Sequence, residues 1–177
     1  SIMEDMFTNK NRPFYKSASI MALDKLPANE FAMYVTDKFT KEGKKCSIGL
    51  AEYLINKVDN LPFYVQLLGL HTYINAEEEV TKQIIDTTFE EVLESYRYHF
   101  DKVIESIPAK QREAFIALAK VPTKEPYSAE FLSKHSVALK TMQNMISNQS
   151  KEGYVEKIDG IWKLNDKILQ EYILRFY

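Results

Sequence analysis

Apolar residues recur at three- and four-residue steps through most of the chain, a period that predicts a mainly helical protein. After Pro27, the positions Phe31, Tyr34, Val35 and Phe39 mark the inward face of a first helix, and Gly43 stands where it should stop. Ser47 is a good N-cap for a second, with Ile48, Ala51, Leu54, Ile55 and Val58 on one face and the polar pair Asp59 and Asn60 at its end. A third starts at Pro62, whose fixed φ and missing N–H suit the first helical position, and runs to about Tyr73 with Phe63, Leu67, Leu70 and Ile74 inward. The stripe Val80, Ile84, Thr88, Val92, Tyr96, Phe100, Val103 and Ile107 predicts one long fourth helix from about Glu77 to Ile107. Glu77, Glu78 and Glu79 then fall in its first turn, where carboxylates complement the positive end of the helix dipole.

Beyond Pro108 the punctuation changes. AKQREAFIALAK predicts a helix with Phe115, Leu118 and Ala119 inward, VPTKEPY a turn, Ser128 a cap for AEFLSKH, and Ser136 a cap for VALKTMQNMISNQSKEG. On this last helix Leu139, Met142 and Met145 or Ile146 are the expected core, and Gly153 ends the loop after it. YVEKI-DG-IWKL sets Asp159 and Gly160 between two alternating runs, the chemistry of a two-residue type I′ hairpin. DKILQEYILRF closes the chain as an amphipathic helix. Three helices, a hairpin and a helix follow the order of a winged helix. The expected fold class is therefore mainly α, a helical bundle over 27–107 followed by a winged-helix domain with a small β-hairpin over 108–177, the long helix serving as connector. Residues 18–23, ASIMAL, read as a lone strand whose sheet partners are not in the chain.

Composition narrows the function classes. With 177 residues, 45% hydrophobic and 27% charged, the chain suffices for one large domain or two small ones. A net charge of −2 excludes a global basic field, yet from Pro108 onward 11 basic residues face 8 acidic ones, leaving 12 against 17 before it, so any nucleic-acid patch belongs to the C-terminal part. The lone Cys46 excludes an internal disulfide framework and suits a reducing cytoplasm. No apolar run approaches the ~20 residues of a membrane span. SIMEDMFTNKNRPFYK lacks a signal-peptide core and reads as the interior of a longer protein or as a trimmed mature terminus. His71, His99 and His135 fall on separate elements, which gives neither zinc ligation nor a catalytic triad any support, and no nucleophile or acid/base pair suggests a free-standing enzyme.

Motif order carries a family resemblance. DNLPFYVQLLG, with Asn60, Leu61 and Pro62 before two aromatics and Gln66, resembles the G-x-P-aromatic-aromatic-x-Q segment in the helical lid of prokaryotic, archaeal-type AAA+ ATPases of the STAND group. NRPFYKSASIMALDKLPANEF and YVTDKFTKEGK resemble that family's run from its sensor strand into the lid, and AFIALAK, YSAEFLSKHS and GYVEKIDGIWKLNDKILQEYIL its winged helix. The resemblance covers essentially the whole chain through individually loose motifs in a specific order. It implies a nucleotide-dependent switch, with ATP and Mg²⁺ held by the parent protein, no cofactor in this portion, and the missing N-terminal nucleotide-binding core as its first partner. It also implies that 1–26 is the remnant of the end of that core. Asn60, Leu61 and Pro62 match the nucleotide-facing positions, and Arg12 and Lys16 match those near the phosphates. Asn60 departs from the family's glycine, either obstructing close backbone approach or occupying the left-handed conformation that Asn tolerates. Lys16 departs from its arginine, and an ammonium does not replace a guanidinium fork. No G-x-x-x-x-G-K-[ST] occurs in the sequence, so hydrolysis by this chain alone is not expected.

A second function class rests on the C-terminal part. Lys140, Gln143, Asn144, Ser147 and Lys151 face outward on the predicted recognition helix and Lys157 sits on the wing, as phosphate and base-edge contacts to DNA would require. Glu152 and Glu156 dilute the patch, and winged helices also bind regulatory proteins. Trp162 and the ending YILRFY offer a stacking platform for single strands, although packing at helical and strand spacing accounts for them without a ligand.

Overall fold

The computed structural model of the protein describes residues 26–177. Arg12, Lys16 and the ASIMAL stretch lie outside the described residues. The chain divides into two compact units between Arg97 and Tyr98.

The first unit holds four helices, α1 (Ala28–Lys41), α2 (Ile48–Lys57), α3 (Pro62–Asn75) and α4 (Lys82–Ser95). The expected punctuation operates here. Gly43 takes φ 81° after α1, the Ser47 side chain accepts the Leu50 N–H at the start of α2, and Pro62 opens α3. Ala32, Ala51, Leu54, Ile55, Leu68, Ile85 and Leu93 are fully buried and form the core. Polar clamps stitch the helices at its edge. Lys57 Nζ and the Tyr53 hydroxyl of α2 both reach Asp86 Oδ1 of α4 at 2.6 Å. Lys44 donates to the carbonyls of Tyr73 and Ala76, placing a cation at the negative end of α3.

Several expectations fail in this unit: Tyr34 and Ile48, predicted inward, are 52% and 48% exposed because neighbouring helices cover other positions of α1 and α2, and two elements differ from prediction. The three glutamates do not sit on a helix: Glu79 forms a bridge with Lys45, whose N–H and C=O pair with the Glu78 carbonyl and the Val80 N–H at 2.8 Å, and Thr81 caps α4 instead. An extended segment anchored by buried Val80 thus takes the place of the predicted first turn. The long helix is also broken, α4 ending at Ser95 and α5 (Arg97–Ser106) starting after Tyr96. No proline or glycine marks the break. Its setting is tertiary, the Tyr96 ring meeting Tyr64 of α3 edge-on at 6.3 Å, a contact that helical periodicity cannot register.

The second unit runs through α5, α6 (Ala109–Lys120), α7 (Ala129–Lys134), α8 (Leu139–Glu152), the antiparallel pair β1 (Val155–Ile158) and β2 (Ile161–Leu164), and α9 (Lys167–Phe176). Asp159 and Gly160, at φ 51° and 81°, make the two-residue turn that sets Ile158 opposite Ile161 and Val155 opposite Leu164. Phe115, Leu118, Met142, Ile168 and Tyr172 are buried at the centre, and the Ser128 hydroxyl caps α7 through the Phe131 N–H. Ser136 is not a cap. It takes φ 54° in the turn after α7, buried Val137 anchors the next residue, and α8 begins uncapped at Leu139, which is exposed.

Candidate functional sites

The turn between α2 and α3 places the three residues matched to the nucleotide-facing segment. Asp59 and Asn60 take φ 53° and 56° in succession, so of the two alternatives open to Asn60 the left-handed conformation is the one it occupies. Its side chain turns toward the start of α1, where Nδ2 donates to the Leu26 carbonyl at 2.6 Å, and its Oδ1 is buried with no hydrogen-bond partner among the described residues. Leu61 is half-buried and Pro62 exposed, and the first turn of α3 has no side-chain cap. The arrangement offers a small apolar edge beside a helix start whose N–H groups favour negative charge.

Sequence periodicity assigned the wrong face of α3 to the core. Val65, Leu68 and Thr72 are buried, whereas Phe63, Leu70 and Ile74 are 62%, 57% and 62% exposed. The helix is apolar nearly all round, so a 3.6-residue period fits more than one face and neighbouring helices decide between them. Beside the exposed face runs a groove of about 350 Å³ between α1 and α3, lined by Phe31, Tyr34, Phe39, Val65, Leu70 and Tyr73 among others. Lys38, Glu42, Gln66 and the hydroxyls of Tyr34 and Tyr73 bring the polar side-chain groups to it. Nothing in the local sequence signals this surface except the excess of apolar residues on α3.

In the second unit α6 packs on α8 and α9, and the β-hairpin continues the chain from α8 onto α6. A bridge between Thr123 and Trp162, with N–H to carbonyl distances of 3.1 and 2.8 Å in the two directions, pairs a third segment of the chain with β2. A family model for a probable winged helix domain matches residues 98–175. This unit is a winged helix.

The helix expected to carry the outward polar set is α8. Met142, Met145 and Ile146 face the core together with Gln149, whereas Lys140, Gln143, Asn144, Ser147 and Lys151 are all exposed, and Lys157 is exposed on the wing. The six residues are thus brought to the surface, five of them on a single helix face. Residue types alone do not make that face a nucleic-acid site, for its basic groups stand at the two ends of α8 with an uncharged stretch between them. The match begins at Tyr98, the first residue after the division into compact units, so α5 belongs with the winged helix. Phe100 of α5 meets Tyr172 of α9 at 5.2 Å between ring centroids, and the Tyr172 hydroxyl donates to Asp101 at 2.8 Å.

The fold over 98% of the chain resembles that of a Walker-type ATPase of Pyrococcus abyssi, with a TM-score of 0.70 at 12% sequence identity. The chain spans about half (50%) of that protein's length. No curated protein matches the sequence. Among the described residues no group of three or more His, Cys, Asp and Glu side chains is placed to hold a metal ion, and no helix is long and apolar enough to cross a membrane.

Proposed function

We propose that the chain forms the C-terminal half of a Walker-type ATPase of the STAND kind. In this reading the helical unit is a lid over the nucleotide site of a preceding core domain, and the winged helix is an interaction module that responds to it. The observation that carries the reading is the uncovered apolar surface of α1 and α3, with Phe63, Leu70 and Ile74 beside the groove. A contiguous apolar surface of this kind on a small helical unit marks an interaction face. The half-length likeness to the Pyrococcus abyssi ATPase supports reading that partner as a nucleotide-binding core.

Leu61, Pro62 and the start of α3 fit one edge of an adenine nucleotide, apolar contact lying beside helix N–H groups. Bound ATP with Mg²⁺ would supply the phosphoryl chemistry, held by a P-loop that these residues do not include. The chain's own part is to shield the base and to couple nucleotide occupancy to the lid's position. Arg12 and Lys16 are assigned to the phosphate side on the resemblance alone. The test is the ATP affinity of the full-length protein carrying Leu61→Ala with Pro62→Gly. Weakened binding supports the lid role, and unchanged affinity sinks it.

The exposed face of α8 favours a second reading, DNA contact through the winged helix without an ATPase role. It requires salt-sensitive duplex binding that Lys140→Ala and Lys157→Ala both reduce. Absence of duplex binding at ~50 mM salt would leave a regulatory protein as the partner of that face.

A further inference from the structure

Trp162 is the only tryptophan of the chain, and it lies beyond the core that its neighbours complete. On β2 it stands opposite Lys157, one pleat along from the pair Val155 and Leu164, which are 2% and 3% exposed. Side chains two residues apart share a strand face, so Trp162 and Lys157 continue the buried face outward, past the end of the core. There the half-buried indole meets a recess of about 380 Å³ between the wing and the loop before α7, lined also by Lys124, Pro126 and Tyr127. Tyr127 is 41% exposed, and Lys157 Nζ lies 5.8 Å from the indole centroid. Neither Lys124 nor Lys157 forms an ion pair among the described residues. Glu125 is the one carboxylate at the rim, giving the recess a formal charge of +1.

Two aromatic rings flanked by two unpaired ammonium groups match the chemistry of a stacked base with its phosphate. The volume falls within the range of small-molecule sites. A base held in a duplex hides both faces in its stack, so only an unstacked nucleotide could enter. The site shares Lys157 with the duplex surface considered above but takes nothing from the outward face of α8. We propose that this recess binds one nucleotide unit of a single strand, its base against Trp162 and Tyr127 and its phosphate between Lys124 and Lys157. Lys157, exposed and held over the indole only by a weak cation–π contact, swings from the ring to the phosphate as the base enters.

Trp162 is its own reporter. The full chain is titrated at low salt with an oligothymidylate of about ten nucleotides, a duplex of the same length, thymidine monophosphate and polyglutamate of equal charge, following tryptophan emission. The expected result is saturable quenching by the oligothymidylate that weakens as salt rises. Lys124→Ala with Lys157→Ala, at exposed positions that leave the fold intact, should weaken binding about tenfold or more, and Lys140→Ala should leave it unchanged. Trp162→Ala, followed with a labelled strand, should cost about tenfold, and Trp162→Phe less. No quenching overturns the proposal. So does duplex binding as tight as the single strand, or an equal loss with Lys140→Ala, which would move the strand to α8. Equal binding of the monophosphate would replace the strand with a free nucleotide, and equal binding of polyglutamate would reduce the recess to a general polyanion site.

Discussion

Asn60 is fastened to Leu26, its Nδ2 donating to the Leu26 carbonyl at 2.6 Å while its own backbone stays left-handed at φ 56°. The residue therefore does two things, reversing the chain between α2 and α3 and tying that reversal to the start of α1. Glycine could do only the first. Asn60→Gly should lower the stability of the helical unit by about 1 kcal/mol through the lost hydrogen bond. Asn60→Ala adds the steric cost of a Cβ at positive φ, about 1 kcal/mol more. Urea denaturation of the two variants measures the difference, and equal losses would show that the backbone conformation is not the constraint.

The Lys57–Asp86 pair sets a pH window for the same unit. Hydrogen bonds from Lys57 and then Tyr53 outweigh partial burial and hold the Asp86 carboxyl below its ordinary range. Burial opposes the charge on Lys57, but the hydrogen bond and proximity to Asp86, with Tyr53 adding to both, win and hold its ammonium above the ordinary range. Asp86 thus contributes stability above its unfolded pKa near 3.8, lost as pH falls through the lower folded value. Lys57 contributes stability below 10.5, lost only as pH rises through its still higher folded value. Asp86→Asn should cost about 1 kcal/mol at neutral pH, a figure kept small because Asp86 is 42% exposed and screened by solvent. The wild-type advantage over this variant should shrink below about pH 4. Thermal denaturation of both proteins across that range checks it, and a constant difference would count against the pair.

Tyr172 is 1% exposed and uses its hydroxyl on Asp101, which also accepts from Tyr177 at 2.9 Å. Removing the hydroxyl by Tyr172→Phe should destabilise the winged helix by about 1 kcal/mol without altering its packing. Asp101→Ala removes the acceptor for both hydroxyls and should cost more. Denaturant midpoints with unchanged slopes are the expected record.

The assignment of the α3 face can be tested by contrast. Leu68→Ala, in a fully buried position, should cost about 3 kcal/mol. Leu70→Ser and Ile74→Ser, two and six residues further along the same helix, should each change stability by under about 0.5 kcal/mol. The two serine variants should also be more soluble at high concentration. A large loss at Leu70 or Ile74 in the isolated chain would mean that the face is already covered.

The elements with chemical punctuation were legible from sequence. Gly43, Ser47, Pro62, Ser128 and the Asp159–Gly160 turn each act through a local requirement, a cap, a fixed φ or a positive φ, and each occupies its expected place. The outward set on α8 was legible too, because a helix with one clearly polar face has a single way to be buried. Ser136 shows the limit of such signals. A serine before an apolar residue reads as a cap, yet here burial of Val137 fixes the turn and α8 starts beyond it.

Periodicity, caps and turn residues by themselves determined a mainly helical chain ending in a hairpin and helix, since those signals act within a few residues. Tertiary structure alone decided that the long helix breaks at Tyr96, that Glu79 pairs with Lys45, that α3 turns Phe63, Leu70 and Ile74 outward, and that Trp162 lines a recess. In each case the local sequence permits more than one arrangement of similar energy. Contacts between residues distant along the chain choose among them, and no local pattern records such contacts.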